Sequence, residues 1–241
     1  MKLYVGVDFG GTNIGAGIVD GDGNILVQGE VPTNISRPYQ EVIADMAELI
    51  KDLIKQGEYE LSNIVAIGIG SPGSLDREEG VVLKANNLYW ENVPVKKELQ
   101  KHLDIPVYIE NDANVAGIAE SVAGVCKGYK NSITITLGTG VGSGIIIDGK
   151  PYIGSHGVAA ELGHTIIEVD GIQCNCGNKG CFEEYTSASA LIREGKKAAK
   201  ENPDSMIYKT VSGDLEKIDA KIVIDSAKAG DKVALEIFDR Y

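Results

Sequence analysis

Two well-separated stretches of this chain follow one plan: an apolar strand, a glycine-rich turn, then a second strand. Leu3–Val7 leads into Asp8-Phe9-Gly10-Gly11-Thr12-Asn13, and a strand over Asn13–Val19 follows. Ile133–Leu137 leads into Gly138-Thr139-Gly140-Val141-Gly142-Ser143-Gly144, with a strand over Gly142–Asp148. A backbone without Cβ brings its N–H groups close to an anion, and Thr12 adds a hydroxyl donor. A dinucleotide-binding G-x-G-x-x-G turn opens a helix, so the strands here disfavour that reading. Taken alone, the first turn reads equally well as an ordinary tight hairpin. Two such turns at matching points predict an α/β fold of two related lobes, residues 1–124 and 125–241, with a ligand cleft between them.

The rest of the pattern fits that plan. Asp20-Gly21-Asp22-Gly23 is a hairpin signal before a strand over Asn24–Val31. Val42, Ile43, Met46, Ala47, Leu49, Ile50, Leu53 and Ile54 recur with helical spacing. Ile64–Ile69 reads as a buried strand, Val95–Leu103 as a short helix and Pro106–Ile109 as a strand. Asn111 or Asp112 then caps a helix running to Gly124. Short strands are expected at Tyr152-Ile153 and Thr165–Val169, and helices over roughly 187–200, 204–211, 219–229 and 231–241.

Charge narrows the partners. The net charge is −12, which argues against a nucleic-acid or anionic-membrane surface. Phosphate affinity must then come from local amides and a cation rather than from a basic field. Asp8 interrupts the first apolar run too early for a signal peptide, and the longest uncharged stretch, Asn131–Ile147, is too short and polar to span a bilayer. A cytoplasmic protein is expected.

Three of the four cysteines, Cys174, Cys176 and Cys181, fall in one loop, with His164 ten residues ahead of the first. A C-x-C pair rarely closes on itself as a disulfide, and Cys₃His is a tetrahedral zinc set. Four protein ligands leave no place for water, so such a zinc would be structural. Cys126 stands apart and is expected to be a small buried residue, and His102 and His156 belong to no motif. Asp8, at the end of a strand, suits Mg²⁺ held through water. Asn111-Asp112, at a strand-to-helix junction, reads from position alone as a helix cap.

The paired turns resemble the phosphate-binding turns of the sugar kinase/Hsp70/actin superfamily, and most closely those of the ROK family of bacterial sugar kinases and repressors. Glu110-Asn111-Asp112-Ala113-Asn114 resembles that family's catalytic segment, and Glu161-Leu162-Gly163-His164 its E-x-G-H sugar motif. Cys174-Asn175-Cys176-Gly177-Asn178-Lys179-Gly180-Cys181-Phe182-Glu183 resembles its C-x-C-G-x-x-G-C-x-E zinc loop. The resemblance runs from the first strand to the last residue. Ala160 stands where the family often has glycine.

The resemblance implies ribonuclease-H-like lobes of the actin-like ATPase fold. It implies ATP and Mg²⁺ at Asp8, Gly10, Gly11, Thr12 and Asn13 of the first turn and Gly138, Thr139 and Gly140 of the second. Asp112 becomes the general base. Asn111, Asp112, Glu161, His164 and Glu183 become hexose ligands, with Glu184, Asn86 and Asn87 as weaker candidates. Zinc on His164, Cys174, Cys176 and Cys181 would orient the sugar wall, and the protein would be a homodimer. Glucose is the leading acceptor, and an N-acetylhexosamine or another hexose is the alternative. Two other readings are a sugar-sensing regulator of the same family and a non-sugar ATPase of the actin/Hsp70 type. The regulator is disfavoured because Leu3 already begins a strand, the ATPase by the zinc loop. After the zinc loop only helices are expected, with no strand ending in a second Gly-Gly turn. The second lobe is therefore expected to be incomplete, as in a C-terminally truncated kinase.

Overall fold

The computed structural model describes residues 2–241. Its helices and strands fall into two compact units. One comprises Met1–Thr134 and Gly144–Ala160, the other Ile135–Ser143 and Glu161–Tyr241.

The first unit is organised by a mixed five-stranded sheet. Strands β1 (Leu3–Phe9), β2 (Asn13–Val19) and β3 (Ile25–Pro32) form an antiparallel meander. Helix α1 (Tyr39–Gln56) returns the chain to β4 (Ile64–Ser71), which lies parallel to β1 on its other side. Strand β8 (Val107–Asn111) adds parallel to β4, giving the order β3-β2-β1-β4-β8. The apolar run of β1 arises because Leu3, Val5, Val7 and Phe9 all point to the core, while Tyr4, Gly6 and Asp8 occupy the alternate positions on the opposite face. The eight apolar residues of α1 named from their spacing are all buried. At about 1.5–3 kcal/mol for each large side chain, that stripe is the main attachment of the helix. Phe9 and Tyr39 pack on Trp90, with ring centroids 4.9 and 6.2 Å apart.

A three-stranded antiparallel sheet between β4 and β8 is absent from the sequence reading. It consists of β5 (Ser74–Asp76), β6 (Val81–Ala85) and β7 (Trp90–Val93). Helix α2 is also shorter than expected, Val95–Leu99, because the chain leaves it through turns towards Pro106. Helix α3 (Asp112–Val122) follows β8 without a loop. Asn111 is its cap, its side chain accepting from the N–H groups of Ala113 and Asn114. Strands β9 (Ser132–Leu137), β10 (Val141–Ile147) and β11 (Lys150–Pro151) form a further sheet in the order β11-β10-β9. Helix α3 meets Gly144 of β10 backbone to backbone: a Cβ on Gly117 would lie 2.9 Å from the Gly144 Cα.

In the second unit the helices are α4 (Glu183–Thr186), α5 (Ala188–Glu201), α6 (Met206–Thr210), α7 (Ala220–Lys228) and α8 (Lys232–Arg240). Leu191, Ile207, Val211, Ile218, Val223 and Ile237 make its core. The expected strands at Tyr152-Ile153 and Thr165–Val169 do not form. The second is reduced to a single bridge between Ile166 and Cys181, because the cysteine loop folds back on it. Cys126 is half-buried rather than buried. No helix among the described residues is long and apolar enough to cross a membrane.

Candidate active site

The first glycine turn is held from beneath. Gly10 donates its N–H to the Asn13 carbonyl at 3.0 Å. Thr33, fully buried just after β3, donates its hydroxyl to the Gly10 carbonyl at 2.7 Å and its N–H to the Thr12 carbonyl at 2.8 Å. The backbone of Asn87 packs against Gly11, where a Cβ would meet the Asn87 carbonyl oxygen at 3.1 Å.

Asp8 and Asp112 line one cavity of about 730 Å³ on the glycine-rich face of the sheet. Partial burial raises the Asp8 carboxyl above its usual 3.8, and the charge of Asp112 raises it further. Two carboxylates lining one cavity would suit a hard divalent cation, which would offset their repulsion. Asp112 is exposed at the first position of α3.

Behind Asp112 lies a network whose key member the sequence reading passed over. Arg77, in the turn after β5, forks onto Glu110 through Nε at 2.7 Å and Nη2 at 2.6 Å, and its Nη1 donates to the Gly157 carbonyl at 2.9 Å. Glu110 Oε1 also accepts from the Asn111 N–H at 2.8 Å and from Asn114 Nδ2 at 3.1 Å. Burial alone would raise the Glu110 carboxyl, but Arg77 and these N–H groups outweigh it and hold it below its usual 4.5. The network fixes the chain at Asn111 and thus the start of α3. Arg77 and Glu110 are 33 residues apart, so spacing carried no signal of the pair.

In the second unit the turn over residues 138–140 is also held from one side. The Ala188 N–H donates to the Gly138 carbonyl at 2.8 Å, and the Ser189 hydroxyl to the Thr139 carbonyl at 2.7 Å. The Val141 N–H donates to Glu183 Oε2 at 2.8 Å, so one oxygen of this expected sugar ligand is engaged with the turn. Ser187 caps α5 by accepting from the Ala190 N–H.

His164, Cys174, Cys176 and Cys181 come together with all four donor atoms within 4.8 Å of one another. Cys174 Sγ lies 3.7 Å from His164 Nδ1, and Cys176 Sγ lies 3.6 Å from Cys181 Sγ. Tetrahedral zinc with bonds of about 2.3 Å to sulfur separates its sulfur ligands by roughly 3.8 Å, so the quartet fits that ion. Burial pushes the Cys174 thiol up to about 12 and raises Cys181, while the Asn178 backbone N–H lowers Cys176. The loop depends on Gly180, whose φ is +75° and where a Cβ would run into the Glu168 carbonyl. Nδ1 is the His164 nitrogen that faces Cys174, so a metal held there would leave Nε2 for another partner. Glu161 is exposed immediately before the short 3-10 turn that carries His164. Glu184 is held by Arg193 at 3.0 Å. Asn86, His102 and His156 are exposed, and the structure gives none of them a site contact.

Comparison with known proteins adds a family to this geometry. Over 241 residues the chain is 41% identical to a glucokinase of Thermotoga maritima, covering all of this chain and 74% of that protein. It is 33% identical over 229 residues to a xylose repressor of Caldicellulosiruptor bescii, covering 95% of this chain and 57% of the repressor. Among solved structures, a ROK family glucokinase from Streptomyces griseus in complex with glucose and AMPPNP matches with a TM-score of 0.83 and 36% identity. That match covers 98% of this chain and 74% of the other. The mixed sheet and helices here thus share the actin-like ATPase fold of that ROK structure. The ROK family model matches residues 4–241, and the chain belongs to the ROK family.

Proposed function

We propose that this protein is an ATP-dependent hexose kinase that phosphorylates glucose to glucose 6-phosphate. The observation that carries the reading is the exposed Asp112 carboxylate at the head of α3, sharing a cavity with Asp8 and set in place by the Arg77–Glu110 pair. Phosphoryl transfer asks little covalent chemistry of a protein; it needs positioning, charge neutralisation and a group to take the hydroxyl proton. Asp112 accepts that proton from the sugar hydroxyl. Asn111, Glu161, His164 and Glu183 hold the other hydroxyls. The two glycine turns, at Gly10–Asn13 and Gly138–Gly140, hold the phosphates through N–H groups other than those of Gly10 and Gly138, which are bonded within the turns to the Asn13 and Gly140 carbonyls. Asp8 would hold Mg²⁺, which supplies neutralisation of the phosphate charge. The Cys₃His quartet would hold structural zinc, shaping the loop that ends at Glu183 and orienting His164.

A coupled assay over a panel of hexoses and N-acetylhexosamines with Mg·ATP tests the reading. Glucose should be the best acceptor, and Asp112→Asn should lower kcat by about 10²–10⁴-fold with the sugar still bound. Near-normal turnover in that variant would refute the assignment. The repressor relative motivates a second reading, a sugar-sensing regulator. Sugar binding with no turnover on any acceptor would favour it. The companion proposals are a cytoplasmic homodimer that binds neither nucleic acid nor membrane.

A further inference from the structure

We propose that Thr33 and Ser189 are a matched pair of positioning residues, each of which aims one glycine turn at phosphate. The inference rests on the nucleotide reading of those turns and goes beyond it, because neither residue belongs to a glycine motif.

The two sites are built alike, from unrelated segments of the chain. In the first turn, Thr33 takes two carbonyls, Gly10 through its hydroxyl and Thr12 through its N–H. In the second turn, Ser189 takes the Thr139 carbonyl through its hydroxyl, and the adjoining Ala188 N–H takes the Gly138 carbonyl. Each turn therefore has two carbonyls claimed by one hydroxyl and one amide from a single neighbouring segment. A free glycine-rich turn can rotate its peptide planes and present carbonyl oxygens, which repel phosphate. Tying the carbonyls to one side turns the intervening N–H groups to the other, and the entropy of ordering them is removed before the ligand arrives. Neither donor needs to touch the ligand. Thr33 is fully buried, and its hydroxyl is spent on the turn.

The second clamp has an additional feature. It begins two residues beyond α4, whose first residue is Glu183, and Glu183 holds the Val141 N–H at the far side of the same turn. The segment from Glu183 to Ser189 thus grips the turn at Gly138, Thr139 and Val141, beginning two residues after Cys181, the last cysteine of the quartet. Order in the cysteine loop is passed to the phosphate turn through six residues of chain.

The test uses the full chain with Thr33→Val, Thr33→Ser, Ser189→Ala and Ser189→Thr. Calorimetry would measure Mg·ATP, inorganic tripolyphosphate and glucose separately. Loss of one neutral hydrogen bond should weaken both phosphate ligands by about two- to tenfold in Thr33→Val and Ser189→Ala. Glucose affinity should stay within about twofold, and the Ser and Thr exchanges should restore binding. Hydrogen exchange should quicken only at residues 10–13 or 138–141. Wild-type phosphate affinity in both removal variants would overturn the inference. So would a parallel loss of glucose and phosphate binding with a lowered Tm, which would mark a merely structural role. Wild-type protein that binds tripolyphosphate but not Mg·ATP would refute the nucleotide reading while leaving the clamps intact. Wild-type protein that binds neither would refute both.

Discussion

Replacing Arg77 by methionine keeps the length of the side chain and removes its fork. Three hydrogen bonds disappear, two to Glu110 and one to the Gly157 carbonyl. The side chains of Arg77 and Glu110 are each only 18% exposed, so the surviving carboxylate is left largely without water. Breaking a buried pair on one side costs about 3–5 kcal/mol, and the residual exposure argues for the lower end, about 3 kcal/mol. For a chain of this size that is a fall in Tm of roughly 6–12 °C. The pH dependence gives a second check. In the folded protein the Glu110 carboxyl is held below its usual 4.5, so the pair stabilises above the unfolded value, and its contribution is lost as pH falls through the lowered folded value. In the variant, burial is opposed only by the Asn111 and Asn114 N–H groups, so that carboxyl moves up. The difference in stability between wild type and variant should therefore be widest near neutrality and shrink as the solution is acidified below about 4.5. Calorimetric melts between pH 3.5 and 8 measure it. A variant melting within 2 °C of wild type at pH 7, or a gap that does not change with pH, would show that the fork is not the brace described, as these magnitudes require.

Other outcomes follow from the same contacts. Asp8→Asn removes a like charge facing Asp112, so it should raise Tm slightly at pH 7 while abolishing Mg²⁺-dependent transfer. That advantage should vanish as pH falls through the raised Asp8 carboxyl, where wild type also loses the charge; a variant less stable at pH 7 would contradict the repulsion. Gly117→Ala places a Cβ 2.9 Å from the Gly144 Cα, and overpacking should outweigh the helix propensity of alanine, for a net loss of about 1–2 kcal/mol; a higher Tm would disprove the close contact. Elemental analysis should find about one zinc per chain, and Cys176→Ser should lower both zinc content and Tm; folded wild-type protein without metal would rule the site out.

Legibility of the sequence divides by distance along the chain. Strands β1 and β2 and the buried face of α1 are local patterns: the strands were legible as apolar stretches on either side of a glycine turn, and the helix from its residue spacing. The Cys₃His quartet was legible because its members span only His164 to Cys181 and its chemistry is distinctive. The small sheet β5–β7 was missed because its strands are three to five residues long and carry Asp76, Lys84 and Glu91, which break any apolar alternation. The strand expected at Thr165–Val169 had the right composition, yet closure of the cysteine loop claimed Ile166 for one bridge and left Ile166, Ile167 and Val169 exposed. Arg77 and Ser189 act on partners 33 and 50 residues away, through a guanidinium and a hydroxyl that are common on any surface.

The contact between Gly117 and Gly144 makes α3 a lever with a hard fulcrum. Side-chain packing yields by changing rotamer, but two backbones in contact have none to change. Asp112 lies five residues before Gly117, about 7.5 Å along the helix axis. A tilt imposed at the fulcrum would reach the carboxylate with little loss. A substitution at Gly144, remote in sequence from every sugar motif, should therefore register first as a lower kcat, while the affinity for sugar is still near normal.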